Sequence, residues 1–222
     1  MEHTSRNYEH ELQDLRDKIL LAGGKVEEMI ANAMKALIQS DSKTAQDVII
    51  ADREMNDLEK EIDELCFNVL ARRQPTASDL RFIITGLKIV TDLERIGDLG
   101  VNIAERTLEL MDEAPLKPYI HLPMLSNMSQ KMVKDALDSF VTRDAYLAKK
   151  VMACDDAVDD LTKKIHNELL ELMKEDPQNV SRGVRLISVT KYLERIADHA
   201  TNVAEMVLFL IQGEDVRHQV QV

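Results

Sequence analysis

The amino-acid sequence predicts an all-α fold of two tandem, pseudo-repeated antiparallel three-helix bundles, six long helices in all. Three observations predict it. The residue vocabulary is that of helices: Leu, Ala, Glu, Lys, Asp, Ile, Val and Met dominate, against 7 Gly, 5 Pro, 4 Phe, 4 Tyr and no Trp. Apolar residues recur at helical spacing along almost the whole chain. Finally, a block on the third expected helix returns 100 residues downstream on the sixth.

The elements follow in order. A first helix is expected from about Tyr8 to Gln39 and a second from about Ser42 to Ala71, with Ser40-Asp41-Ser42 between them supplying N-cap side chains. The run Arg72-Arg73-Gln74-Pro75-Thr76-Ala77-Ser78-Asp79 ends the second helix, and a third runs to about Met111. Pro115, Pro118 and Pro123 interrupt the pattern three times within nine residues, which sets the boundary between two repeats, 1–114 and 115–222. The second repeat continues with helices from about Met124 to Val141, Asp144 to Lys174 and Val180 to Ile211. Helices of roughly 30 residues span about 45 Å, and long neighbours joined by short turns pack antiparallel.

The repeat is specific. Leu93-Glu94-Arg95-Ile96-Gly97-Asp98-Leu99-Gly100-Val101-Asn102-Ile103-Ala104-Glu105 aligns without gaps on Leu193-Glu194-Arg195-Ile196-Ala197-Asp198-His199-Ala200-Thr201-Asn202-Val203-Ala204-Glu205, with eight of thirteen positions identical. A weaker echo relates Asp52, Asn56, Leu58 and Ile62 to Asp155, Asp159, Leu161 and Ile165 at an offset of 103. Duplication of one three-helix unit accounts for both.

A net charge of −12 opposes binding to nucleic acid or to an anionic membrane, because the protein's own field repels phosphates. Protein partners and cations are favoured instead. The N-terminal residues carry no apolar signal segment, and no stretch reaches the roughly 18 apolar residues of a spanning helix, so a soluble, cytoplasmic protein without direct membrane insertion is expected. Cys66 and Cys154 sit in helical patterns and are expected to be buried, reduced thiols.

The candidate site is a set of carboxylates. Glu94 and Asp98 lie one turn apart on a stripe with Ile83, Leu87, Val90, Val101 and Leu108, and Glu194 and Asp198 repeat the arrangement with Asn202 and Glu205 nearby. Unpaired carboxylates on an apolar stripe must be matched by cations, protonated or used as ligands. The preceding helix of each repeat adds a second pair at the same spacing, Asp52 with Asn56 and Asp155 with Asp159; Glu59 with Asp63 occurs in the first repeat alone. Facing helices with such pairs can surround a cation, and oxygen ligands favour Mg²⁺, Mn²⁺, Ca²⁺ or iron over soft metals. The metal-ligand set is therefore Asp52, Asn56, Glu94, Asp98, Asp155, Asp159, Glu194, Asp198 and Asn202. With four carboxylates against three, the second repeat is expected to bind metal better. The competing reading is a solvated face of intrahelical ion pairs. Arg95 and Arg195 are candidate neutralising partners, but each points about 100° from its neighbouring glutamate and is expected to pair elsewhere. His199 is expected to be a surface or supporting histidine, and His166, at the position of Asp63, is the better histidine ligand candidate.

The duplicated Glu-Arg-Ile-x-Asp blocks, the Arg73-Gln74-Pro75-Thr76-Ala77-Ser78-Asp79-Leu80-Arg81 turn and Gly23-Gly24-Lys25-Val26-Glu27 together resemble the PhoU family over almost the whole chain. The resemblance implies paired three-helix bundles whose Glu/Asp-x-x-x-Asp motifs hold metal, here Glu94 with Asp98 and Glu194 with Asp198, joined by Asp155 with Asp159. The metal would be divalent or iron-type: Mg, Mn, Fe or Zn. Asp52 with Asn56 departs from the acidic form. The resemblance also implies a negative regulator of the phosphate regulon and of phosphate uptake, a non-enzymatic adaptor in phosphate homeostasis. It would link the ATPase subunit PstB of the phosphate-specific ABC transporter to the sensor histidine kinase PhoR, and act as a homodimer.

Enzyme signatures are missing. There is no P-loop or GxGxxG fingerprint. No histidine follows a glutamate by three residues, as a ferritin-like di-iron site requires. The alternative class is a metal-dependent hydrolase or metal-storage bundle built on the same carboxylates.

Overall fold

The computed structural model describes residues 2–111, 116 and 121–213, with side chains from residue 6 onward. The fold is all-α. The helices are α1 Glu2–Gln39, α2 Ser42–Arg72, α3 Ala77–Leu110, α4 His121–Thr142, α5 Ala145–Met152, α6 Asp155–Glu175 and α7 Val180–Gln212, with a 3-10 turn Pro177–Asn179 before α7. The boundary expected at 114/115, with Pro115 and Pro118, lies outside the described residues. Pro123 is not a breaker: it sits in the first turn of α4, where a missing N–H costs no intrahelical bond.

The fifth expected helix is two. Ala153 and Cys154 close α5 with bonds to Lys149 and Val151, and α6 restarts at Asp155. Asp155 and Asp156 sit in the first turn of α6, where carboxylates complement the positive helix end, so charge placement favours a new start there. The turns themselves repeat. Ser40 and Arg143 both take φ 52°, and the next residues, Asp41 and Asp144, cap α2 and α5 by accepting from N–H groups two and three residues on. The αL end of α7 uses Gly213 at φ 75°, a conformation glycine adopts without a Cβ penalty, with its N–H donating to the Phe209 carbonyl.

Packing is built around the third helix of each repeat. α3 lies against α1, α2 and α7, and α7 against α3, α4, α5 and α6, so both are apolar over most of their circumference. α3 and α7 run antiparallel: Arg185 Nε donates to Glu109 at 2.9 Å near one end, and Gly213 lies against Arg81 at the other. α1 and α4 also cross between repeats, and Gly23 permits their close approach, since a Cβ there would stand 2.5 Å from Leu137 Cδ1. The Phe82 ring stacks on Phe140 at 5.8 Å, with the Arg16 guanidinium over Phe82. One continuous core thus joins the repeats, with Leu93, Ile96, Ile103, Leu193 and Ile196 fully buried.

The turn after α2 is tied back to α1. Arg73 makes two 3.0 Å bonds to Glu11, and Tyr8 donates to Asp79 at 3.0 Å. Burial and the Asp79 carboxylate push the Tyr8 hydroxyl up to about 12.

Candidate functional site

In the first repeat, α2 and α3 present one face. Asp52 of α2 and Asp98 of α3 are close enough to repel, and Asp52 titrates above its usual range from desolvation first and Asp98 second, opposed by an Asn56 bond of 2.9 Å. Glu94 is shifted the same way by desolvation, then Asp98, with Glu59 and Asp52 adding. Glu59 is raised by desolvation and Asp63, and Asp63 by desolvation. Glu59 therefore joins the face, which gathers four carboxylates, Asp52, Glu59, Glu94 and Asp98, with Asp63 next to Glu59. Arg95 also differs from expectation. Its long side chain reaches both Glu94, at 3.4 Å, and Asp98, at 3.2 Å, because four methylene-length bonds override the angular offset of its Cβ.

In the second repeat, α6 and α7 present the equivalent face. Asp155 titrates high through desolvation, then Asp198 and Asp159, although Thr201 donates to it at 3.3 Å. Asp198 is raised by desolvation and then by Glu194. Lys191 pairs with Glu194 at 2.5 Å. Among the described residues, the His166 Nε2 is buried with no hydrogen-bond partner, and so is the hydroxyl of Thr162, the counterpart of Glu59.

Asn202, counted among the metal ligands, turns instead to the other repeat: its Nδ2 lies 3.3 Å from Asp92 Oδ1, and His199 Nδ1 lies 2.7 Å from the same oxygen. Asp92 is the buried carboxylate of the molecule's centre, and sequence reading missed it because the first repeat shows it only as one acid among many; its counterpart Tyr192 lacks the charge. His199 is thus a structural partner of Asp92. Cys66 is buried and its thiol is pushed up to about 12 by burial, whereas Cys154, in the turn before α6, is half-buried; both are free.

Asp52, Glu94 and Asp98, like Asp155, Asp159, Glu194 and Asp198, are brought together. Among the described residues, no three His, Cys, Asp or Glu side chains are gathered tightly enough to hold a metal as they stand. The chemistry of the donor set nevertheless fits a hard cation: each face concentrates half-desolvated carboxylates whose main neighbours are other carboxylates, with Arg95 or Lys191 as partial balance.

Fold and faces define a class: a duplicated three-helix bundle with one carboxylate-lined face per repeat. The PhoU domain model matches residues 19–107 and 122–207. A phosphate-specific transport system accessory protein PhoU homolog of Pseudomonas aeruginosa is 45% identical over 97% of this chain and 90% of its own length, and one of Aquifex aeolicus is 42% identical over 94% and 95%. The crystal structure of PhoU from Pseudomonas aeruginosa superposes with a TM-score of 0.90 at 44% identity, covering 93% of this chain and all of that one. The phosphate transport system regulatory protein PhoU from Streptococcus pneumoniae gives 0.86 at 30%, covering 94% and 99%. The chain belongs to the PhoU family.

Proposed function

We propose that this chain is a cytoplasmic, non-enzymatic adaptor that represses the phosphate regulon and restrains phosphate uptake, linking the transporter ATPase subunit PstB to the sensor kinase PhoR as a homodimer. The observation that carries the reading is the likeness, over nearly its full length, to accessory proteins of phosphate-specific transport. No described helix is long and apolar enough to cross a membrane, which suits a protein that meets its transporter from one side. Residues 1–114 and 115–222 are taken as its two PhoU repeats, and the two separate family-model matches support that division.

Metal belongs to the proposal. Asp52, Asn56, Glu94 and Asp98 would hold an ion in the first repeat, with Glu59 added. Asp155, Asp159, Glu194 and Asp198 would hold one in the second. A divalent or iron-type cation there would neutralise carboxylates that otherwise repel one another. Asn202, whose Nδ2 is turned to Asp92, could join the second site only through its Oδ1.

Partner capture, gene deletion and metal analysis test this. Tagged chain should capture purified PstB and the cytoplasmic part of PhoR, and deletion of its gene should derepress phosphate-starvation genes in phosphate-rich medium; failure of both ends the adaptor reading. Elemental analysis of protein purified without added metal should find bound transition metal, whereas metal-dependent turnover of phosphate esters would replace the adaptor with a hydrolase.

A further inference from the structure

Exposed apolar side chains repeat across the duplication. Among the described residues, Phe67, Leu80 and Ile84 of the first repeat and Leu170, Val180 and Val184 of the second are all between 37% and 63% exposed. They are counterparts, Phe67 with Leu170 at an offset of 103, Leu80 with Val180 and Ile84 with Val184 at 100. Core positions stay apolar in both copies because packing requires it, but side chains left in water gain nothing from folding. Exposed pairs also repeat on α1 and α4, Leu21 with Met124 and Ile38 with Val141, so what distinguishes the two trios is that each gathers at one end of a single groove.

Each trio occupies one end of the groove between the second and third helices of its repeat. Cys66 Sγ lies 4.0 Å from the Ile83 carbonyl, so Phe67 and Ile84, their chain neighbours, stand at about the same level of α2 and α3. Met173 packs on Gly183 so closely that a Cβ there would stand 2.5 Å from its sulfur, so Leu170 of α6 and Val184 of α7 stand within about one turn of the same level. At 100° per residue, Phe67 shares its stripe of α2 with Asp63, Glu59 and Asp52, while Leu80 and Ile84 share theirs of α3 with Glu94 and Asp98. Each face is therefore apolar at one end and acidic at the other. In the first repeat a shallow depression of about 420 Å³ crosses α3, lined by Asp63 of α2, by Leu87, Lys88, Thr91 and Asp92 of α3 and by Met206 of α7.

We propose that each groove docks an amphipathic helical segment of a partner protein, apolar where it meets the exposed trio and carrying Lys or Arg where it meets the carboxylates. A trough between two antiparallel helices accepts a third helix by its apolar stripe. Charge chooses the occupant: a second copy of this chain, at −12, would set acid against acid, and an anionic bilayer would be repelled for the same reason. Two equivalent grooves on one rigid body can hold two segments at once. The inference deepens the adaptor reading and rests on it for the existence of a protein partner.

The test uses the full chain in chelator, because a cation on the carboxylates assigned to metal above would cancel the charge that the segment meets; the metal-loaded chain should bind the same peptide more weakly. The probe is a fluorescent peptide of about 20 residues, helical, with Leu on one stripe of its first half and Lys on the same stripe of its second. Anisotropy should show two sites per chain, binding that weakens from about 50 to about 300 mM salt, and at least about tenfold weaker binding of a scrambled peptide. Phe67→Ser should remove one site and Phe67→Ser with Leu170→Ser both, with circular dichroism confirming that these exposed substitutions leave the fold intact. Equal binding of the scrambled peptide, or unchanged binding by the double variant, overturns the proposal. So does a homodimer of the native chain that the double variant dissociates, or flotation with phosphatidylserine vesicles that it abolishes. If native chain captures the partners named above and the double variant captures them equally, the groove assignment fails while the adaptor stands; if native chain captures neither, the adaptor itself fails.

Discussion

Asp92 joins the two repeats through one oxygen. His199 and Asn202, both from the other repeat, converge on Oδ1, and the carboxylate is buried in the α3–α7 contact. Asp92→Ala removes the acceptor and leaves two part-buried donors without it, so it should cost about 1–3 kcal/mol, read as a fall of roughly 2–4 °C in Tm per kcal/mol. Asp92→Asn keeps an oxygen and should lose less. A second residue gives a prediction whose sign is informative. Asp98 raises the titration of Asp52 and Glu94, so Asp98→Asn should raise the Tm of metal-free protein by relieving repulsion, and should reduce the Tm gained on adding Mn²⁺. A lower Tm for the metal-free variant would mean that the Arg95 pair outweighs the repulsion, an unexpected result for an exposed pair. Glu94 and Asp98 were legible because a charge on an apolar stripe stands out in sequence; Arg95 was not, because a helical wheel places Cβ atoms and not guanidinium groups.

Two adjacent glycines separate propensity from packing at the level of a helix. Gly23 and Gly24 both lie inside α1, where glycine is less favourable than alanine by about 1 kcal/mol. Gly24 is exposed with open space where a Cβ would stand, so Gly24→Ala should raise stability by about that amount in urea denaturation. At Gly23 the same methyl meets Leu137 of α4, so Gly23→Ala should give a smaller gain or a loss, with the difference between the two variants measuring the closeness of the α1–α4 contact. The break between α5 and α6 belongs to this scale as well. Apolar periodicity runs through Ala153-Cys154 without a Gly or Pro, so nothing in the spacing announces the turn, and only the acidic pair at Asp155-Asp156 hints that a helix begins there.

Across the molecule, the raised carboxylates set a direction of pH dependence. Asp52, Glu59, Asp63, Glu94, Asp155 and Asp198 all hold protons more firmly folded than unfolded. The folded state then binds more protons, and stability falls as pH rises from the ordinary carboxylate value through the raised one. Asp41, held below its usual range first by its Thr44 hydrogen bonds, acts in the opposite sense, but only below that ordinary value. Metal-free protein should therefore melt higher at about pH 5 than at about pH 7, and saturating divalent cation should flatten the slope. Scanning fluorimetry in chelator and in Mn²⁺ checks both; a Tm that rises toward neutrality in chelator would contradict it.

The helical class, the turn after Arg73, the Asp41 cap, the duplication and the carboxylates on apolar stripes are all written in the amino-acid order, because each follows from neighbours within a few residues or from comparing the chain with itself. Tertiary structure decided how the copies meet. The α3–α7 contact, Asp92 beneath His199 and Asn202, the Phe82–Phe140 stack and Glu59 beside Glu94 all depend on the relative rotation of helices far apart in sequence. Periodicity marks which stripe of a helix is apolar, but α3 and α7 are apolar over most of their circumference. The choice of neighbour on each side therefore rests on shape and on single polar contacts, which exist only once the helices are packed.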